Sequence, residues 1–129
     1  MSVMPPHDTA RRDPQLLKGV LPLLLLRLLA AQESYGYELV VRLREHGLEG
    51  VATGTVYPAL TRLERDGQVS SRLLASASGP ARKYYRLTER GYTALRQAEG
   101  AWHSLSAVVS ALVSTPVPTA PRTAEEKTP

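Results

Sequence analysis

Basic side chains between Thr53 and Tyr92 are the residues of this chain best suited to a chemical task, the binding of a polyanion. The segment holds seven basic and three acidic residues, an excess of four positive charges that equals the formal net charge of the chain, +4. The seven basic residues are Arg62, Arg65, Arg72, Arg82, Lys83, Arg86 and Arg90. A compact cationic segment is the electrostatic footprint of a surface that binds nucleic acid, so we expect a DNA-binding protein.

The residue types that enzymes use for catalysis are scarce in this chain. It has no cysteine, which excludes a thiol nucleophile, a thiolate metal site and a disulfide. Three histidines are scattered at His7, His46 and His103, and neither an HExxH motif nor a glycine-rich phosphate loop is present. Glu99 and His103 are four residues apart, but two ligands without a third favour a surface pair over a metal site. The sequence predicts no enzyme, no cofactor and no metal.

The apolar run from Leu21 to Leu29 raises the question of a membrane. Lys18 precedes the run, and Pro22 and Arg27 interrupt it, so the sequence predicts no apolar span of 18 residues. Prolines and acidic residues precede the run where a secretory signal would carry a basic segment. We expect no membrane insertion and a cytoplasmic protein, and 129 residues fit one domain.

A buried helix is predicted over Gln15 to Ala31, because the run is apolar nearly all round. Pro22 lacks the N–H that the helix needs at this point. Either regular helix begins near Gly19 or a kink lies at Pro22.

Two amphipathic helices follow. Ser34 is the predicted N-cap of the second helix, and Gly47 closes it. Thr55 is the predicted N-cap of the third, which puts Pro58 in its first turn, and Gly67 ends it. The inward face of the third helix consists of Val56, Ala59, Leu60 and Leu63, and its outward face of Tyr57, Pro58, Thr61, Arg62 and Arg65.

A β-hairpin is predicted next, with strands over Gln68 to Ala75 and Arg82 to Leu87 and a flexible turn over 76–81. Strand alternation puts Arg82, Tyr84 and Arg86 on one face and Lys83, Tyr85 and Leu87 on the other. We expect Tyr85 and Leu87 to point inward, and Arg82 and Lys83 to lie at the hairpin tip.

Thr88 is the predicted N-cap of a long fourth helix. Its apolar residues alternate between spacings of three and four, the period of a coiled-coil seam, so we expect a helical partner. The seam residues are Leu95, Ala98, Trp102, Leu105, Val109 and Leu112.

The order of elements predicts a mainly α fold with a small β-hairpin, a winged helix-turn-helix followed by a long C-terminal dimerisation helix. We expect the DNA-binding domain over 15–87 and the dimerisation helix over 88–113. Residues 1–14 and 114–129, rich in Pro, Thr and charge, are predicted to be a disordered arm and tail. Arg11 and Arg12 could contact a minor groove, although an unstructured arm is the favoured interpretation.

Three motifs in this order closely resemble the PadR family of winged helix-turn-helix transcriptional regulators, especially its short subgroup, over roughly 16–112. The first, over 35–39, reads YGYEL. The second, over 54–60, reads GTVYPAL and continues with Arg62-Leu63-Glu64 and Gly67. The third, over 79–88, reads GPARKYYRLT and continues with Gly91.

The resemblance implies a homodimer held by the C-terminal and first helices that binds an inverted-repeat operator in double-stranded DNA and represses the adjacent gene. It also implies release by a hydrophobic or aromatic small molecule, with Trp102 at the position of a tryptophan that lines a drug pore in the short subgroup. Pro22 and the Ser/Thr/Pro tail depart from the family pattern.

Candidate site residues follow from the motifs and the periodicity together. The predicted DNA-binding residues are Tyr37, Thr53, Thr55, Tyr57, Pro58, Thr61, Arg62, Arg82, Lys83 and Tyr84. The predicted interface residues are Leu17, Leu21, Leu24 and the six seam residues. Trp102 and Leu105 are the predicted effector contacts, with plain interface packing as the alternative for Trp102.

Other interpretations keep the same fold. The third helix could be an ordinary amphipathic surface helix, and the basic hairpin a solvated turn. A winged-helix module that binds proteins instead of an operator is the alternative function; such a chain would stay monomeric and bind no DNA.

Overall fold

The computed structural model describes residues 13–119 and has four helices and three strands in that range. The elements are α1 (Pro14–Ala31), β1 (Ser34–Tyr35), α2 (Gly36–Glu45), α3 (Thr53–Arg65), β2 (Val69–Ser76), β3 (Gly79–Leu87) and α4 (Glu89–Val113). The strands form one antiparallel sheet in the order β1-β3-β2. The predicted fold class is confirmed, with a two-residue strand added to the hairpin. The predicted arm over residues 1–12, with Arg11 and Arg12, and the tail over 120–129 lie outside the described residues.

Helix α1 begins at Pro14, because the Asp13 carboxylate accepts a hydrogen bond from the N–H of Gln15 at 2.8 Å and caps the first turn. Proline suits the first helical position, where no N–H donor is needed. The helix begins one residue before the predicted Gln15 and continues through Pro22, so the alternative in which regular helix begins only near Gly19 is wrong. Burial of leucines on one face compensates for the hydrogen bond that Pro22 cannot make.

By length and composition alone, the 18 residues of α1 are apolar enough to cross a membrane, so the prediction that no such span exists is wrong. Pro22 and Arg27 do not lower the mean hydropathy of the helix enough to offset the leucines around them. Four of these leucines, Leu21, Leu25, Leu26 and Leu29, are buried in the core, as in the core helix of a soluble protein, which passes the same test.

One hydrophobic core joins α1, α2, α3 and the inner face of the sheet. Leu25, Leu39, Val40, Val56 and Leu60 have no exposed surface. A fully buried side chain of this kind stabilises a fold by roughly 1.5–3 kcal/mol. The core therefore fixes which faces of α2 and α3 remain outside.

The second helix starts differently from the prediction. Ser34 lies in β1 and is fully buried, and its hydroxyl accepts a hydrogen bond from Arg42 Nη1 at 2.7 Å. The residue before α2 is Tyr35, whose side chain makes no capping bond, so Ser34 is not the N-cap. Gly47 ends the segment as predicted, with a φ of 103° that favours glycine.

Helix α3 begins three residues earlier than predicted, because its N-cap is Ala52 instead of Thr55 and its first residue is Thr53. Thr55 is therefore inside the first turn rather than the N-cap, and Pro58 lies beyond that turn. The predicted inward face is confirmed, since Val56, Ala59, Leu60 and Leu63 are all buried. The helix ends before Gly67, whose φ is 76°.

The hairpin of β2 and β3 is longer than predicted, and its turn shrinks to Ala77 and Ser78. Ser76 pairs with Gly79 after an irregularity that follows Leu74, and the hydroxyl of Ser76 donates to the carbonyl of Pro80 at 3.0 Å. Arg82 and Lys83 thus face Leu74 and Leu73 within the ladder and are not at the tip.

Thr88 caps α4 as predicted, because its Oγ1 accepts from the N–H of Gly91 at 3.0 Å. The inward positions of Tyr85 and Leu87 are also confirmed by burial. The chain divides into two compact units, of which the first ends at Ala98 and the second begins at Glu99.

Candidate nucleic-acid interface

The outer face of α3 consists of exposed polar and aromatic side chains. Six predicted DNA-binding residues lie here and are exposed: Thr53, Thr55, Tyr57, Pro58, Thr61 and Arg62. The Thr61 hydroxyl donates to the carbonyl of Tyr57 at 3.1 Å and keeps its lone pairs for another donor. The α3 face therefore offers hydroxyl groups, a phenol and a guanidinium to a partner.

Tyr57 connects this face to the start of α2. A Cβ atom at Gly36 would lie only 2.8 Å from Tyr57 Cζ, so glycine is needed for the ring to lie where it does. Tyr37 follows in the first turn of α2 and is exposed. The structure thus places the start of α2 beside the outer face of α3.

Arg82 and Tyr84 project from the outer face of the hairpin, and both interact with Tyr35 of β1. The Arg82 guanidinium carbon lies 4.5 Å from the centre of the Tyr35 ring. Tyr84 meets the same ring edge-on, with ring centres 5.2 Å apart. Tyr35 therefore orients the Arg82 guanidinium, which stays exposed. No described residue forms an ion pair with Arg82.

Lys83 projects from the opposite face of β3 and is paired. Its Nζ lies 3.3 Å from Glu64 Oε1 and 5.5 Å from the centre of the Tyr85 ring. Glu64 Oε2 also accepts from the Ser71 hydroxyl at 2.6 Å. The hydrogen bond from Ser71, and then Lys83, lowers the pKa of Glu64, while the hydrogen bond to Glu64 raises the pKa of Lys83.

A cleft of about 440 Å³ lies where these elements meet. It is lined by Tyr35, Gly36, Tyr57, Thr61, Arg82, Lys83 and Tyr85. Guanidinium, ammonium and hydroxyl groups around one cleft are the donors that bind phosphate oxygens. The cleft therefore brings together four predicted DNA-binding residues, Tyr57 and Thr61 of α3 and Arg82 and Lys83 of β3.

A second cleft, of about 410 Å³, lies on the other side of α3, against α1. Thr55, Pro58 and Arg62 line it together with Lys18. Lys18 is a cation that the sequence argument did not assign to any site. The predicted α3 residues thus divide between two clefts that flank one helix.

Sequence reasoning missed Tyr35, Ser71 and two carboxylates that contact the hairpin. Glu33 accepts from Arg72 Nε at 2.8 Å and from Nη2 at 2.9 Å, and this hydrogen bonding lowers the pKa of Glu33. Tyr35 belongs to the first family motif and Glu64 to the second, so membership of a motif could have pointed to both residues. Glu33 gave none, because its partner is 39 residues away in sequence.

The predicted interface residues differ in exposure. Leu21 and Leu95 are 2% and 5% exposed within one chain, so they cannot offer surface to a second copy, and their assignment is corrected. Leu17, Leu24 and Ala98 are half-buried. Trp102, Leu105, Val109 and Leu112 are exposed within the second unit. Across residues 13–119, no group of three or more His, Asp or Glu side chains could hold a metal ion.

Comparison with known proteins agrees with this geometry. A family model described as the transcriptional regulator PadR-like family matches residues 25–97. A transcriptional regulator of Mycobacterium tuberculosis is 39% identical over 77 residues, which are 60% of this chain and 70% of that protein.

Solved structures give the same result. The PadR-like transcriptional regulator of Bacillus cereus has a TM-score of 0.72 and 37% identity, covering 79% of this chain and 99% of that one. A PadR family transcriptional regulator of Eggerthella lenta has a TM-score of 0.71 and 38% identity, covering 79% and 88%. Members of this family are transcriptional regulators and not enzymes. Because the family model matches more than half of this chain, the chain belongs to the PadR-like family of transcriptional regulators.

Proposed function

We propose that this chain is a cytoplasmic, dimeric repressor that binds an inverted-repeat operator and is released by a small-molecule effector. One observation carries the DNA-binding part: the exposed face of α3 and the Arg82 side of β3 border the same cleft. Family membership supports DNA as the partner, since PadR-like regulators bind DNA.

In this proposal α3 enters a major groove. Thr55, Tyr57, Thr61 and Arg62 reach base edges or phosphates, while Thr53, Pro58 and Tyr37 contact the flanking backbone. The hairpin follows the adjacent backbone or minor groove, with Arg82 as its leading cation and Tyr84 beside it. Lys83 reaches a phosphate only when it leaves Glu64.

The dimer part of the proposal rests on exposed apolar surface in the second unit. Trp102, Leu105, Val109 and Leu112 recur at seam spacing along α4 and are 46–69% exposed in one chain. Burial against the same stripe of a second copy would remove this surface from water. Two copies then present two α3 helices about 34 Å apart, which fits successive major grooves and a palindromic site.

The test uses the DNA immediately upstream of the protein's own gene, searched for an inverted repeat. A polarisation titration should give an affinity that falls steeply with salt, with a log–log slope of roughly 0.9 for each phosphate contacted. Arg62→Ala should reduce the preference for the repeat over scrambled DNA. Arg96→Ala, which removes an exposed arginine of α4, is the matched control and should leave that preference intact. A salt-independent affinity would contradict the proposal.

Effector release can be followed through Trp102, because it is the only tryptophan in the chain. A planar hydrophobic compound that stacks on this ring or on Leu105 should quench or shift its fluorescence at the concentration that releases DNA. A compound that releases DNA without changing this fluorescence would exclude Trp102 as the effector contact.

A further inference from the structure

Two carboxylates hold the hairpin, one on each of its faces. Ser71 and Arg72 are successive residues of β2, so their side chains point to opposite faces of the sheet. Ser71 donates to Glu64 of α3 at 2.6 Å, and Arg72 forms a two-point contact with Glu33 at 2.8 and 2.9 Å. The hairpin is therefore anchored on the α3 side by Glu64 and on the other side by Glu33.

This anchoring changes which basic side chains are available to a polyanion. Ion pairs engage Arg65 with Asp66, Arg72 with Glu33 and Lys83 with Glu64. Within the described part of the chain, no ion pair engages Arg62, Arg82 or Arg90, whereas the charge of Arg86 acts on Glu33 and helps to lower its pKa. The positive charge that the sequence assigns to the whole segment is thus concentrated on fewer side chains.

We propose that Glu64 is a positioning residue that fixes the hairpin against α3 and keeps Lys83 paired, and so limits sequence-independent attraction to DNA. This inference rests on the proposed DNA-binding function. In it, Glu64 lowers the affinity for DNA of any sequence and so raises the preference for the operator. Glu64 does this without contacting a base, because it controls where β3 lies and how much charge it presents.

The chemistry of the contact favours this role. A phosphate that draws Lys83 away leaves the Glu64 carboxylate uncompensated beside the same phosphate, so the two like charges repel. The pair as a unit therefore presents almost no net charge. With Lys83 51% and Glu64 36% exposed, the ion pair itself adds little to folding stability and acts mainly on the charge that β3 presents. The hydrogen bond from Ser71 to Glu64 is the contact that positions the hairpin.

The test is Glu64→Gln, which keeps the shape of the side chain and an oxygen acceptor for Ser71 but removes the charge. Binding to a 30-base-pair duplex of mixed sequence is followed by polarisation at several salt concentrations. The log–log slope should steepen by about 0.9, because the released Lys83 adds one phosphate contact. Glu49→Gln makes the same change in net charge at an exposed loop residue and should leave the slope unchanged.

The Lys83→Met background separates a released lysine from a general charge effect. In that background Glu64→Gln should not change the slope. An unchanged slope in the single variant, or the same increase without Lys83, would overturn the inference.

Amide hydrogen exchange on the free protein provides a readout that needs no DNA. Glu64→Ala should speed exchange in β2 and β3, whereas Glu49→Ala should not. If the wild type binds no duplex, the proposed function fails, and the exchange result still decides whether Glu64 positions the hairpin. Equal exchange in both variants would refute that positioning.

Discussion

Gly91 lies in the first turn of α4 against the backbone of Gln68. A Cβ atom here would overlap the carbonyl oxygen of Gln68, which the Thr88 N–H also contacts at 3.2 Å. Because backbone cannot rotate away as a side chain does, Gly91→Ala should destabilise the fold by about 1–3 kcal/mol. Urea denaturation measures this change.

Gly100 is the matched control for this prediction, since it lies in the same helix and, apart from its chain neighbours and the helix's own backbone, no atom lies within 4 Å of the added methyl group. Gly100→Ala should stabilise α4 by roughly 0.5–1 kcal/mol through helix propensity alone. Equal effects of the two substitutions would show that the contact with Gln68 does not constrain position 91.

At the scale of single residues, the sequence predicted what depends on local periodicity. The buried face of α3 follows from the spacing of Val56, Ala59, Leu60 and Leu63. The sequence did not predict that Ser34 lies in a strand, where it pairs with Tyr85, 51 positions later in the chain. Local capping rules favoured a helix start at Ser34, and a long-range strand pairing prevailed.

At the scale of elements, the hairpin shows where composition misleads. Residues 76–81 have the composition of a loop, yet β3 already begins at Gly79 and contains Pro80. Proline is tolerated because β1 pairs with β3 only at Tyr84 and Tyr85, which leaves one edge of β3 open at Pro80. A two-residue strand has no periodicity, so β1 could not be predicted. The contact between Arg82 and the Tyr35 ring of β1 could therefore not be predicted either.

The anchoring of the hairpin should depend on pH. Glu33 and Glu64 both have a pKa below the ordinary 4.5, through hydrogen bonds from Arg72 and Ser71 respectively. Such a group stabilises the fold above its unfolded pKa and loses that contribution as pH falls through its lower folded pKa. Protection of β2 and β3 amides should therefore decline below about pH 4.5.

Glu33→Gln with Glu64→Gln provides the comparison for this pH dependence. The double variant should start with weaker protection of the hairpin at pH 7 and lose less of it on acidification. A wild-type hairpin whose protection is the same at pH 7 and pH 3.5 would show that the two carboxylates do not contribute.

At the scale of the whole molecule, the proposed regulator depends on a second copy. Leu105 is 58% exposed on the apolar stripe of α4, and a charge there would be buried in the proposed interface without a partner. Leu105→Glu should therefore convert dimer to monomer, as measured by light scattering across a range of micromolar concentrations. Ala107→Glu adds the same charge about 200° around the helix from Leu105 and should leave the dimer intact.

The same pair of variants connects assembly to DNA binding. Two linked binding elements hold two half-sites with an effective concentration that a monomer lacks, so Leu105→Glu should weaken operator binding by about 10²-fold or more. Its affinity for a single half-site should change little, since α3 and the hairpin are untouched. A monomeric Leu105→Glu protein that binds the full operator as tightly as Ala107→Glu would show that recognition does not use the paired arrangement.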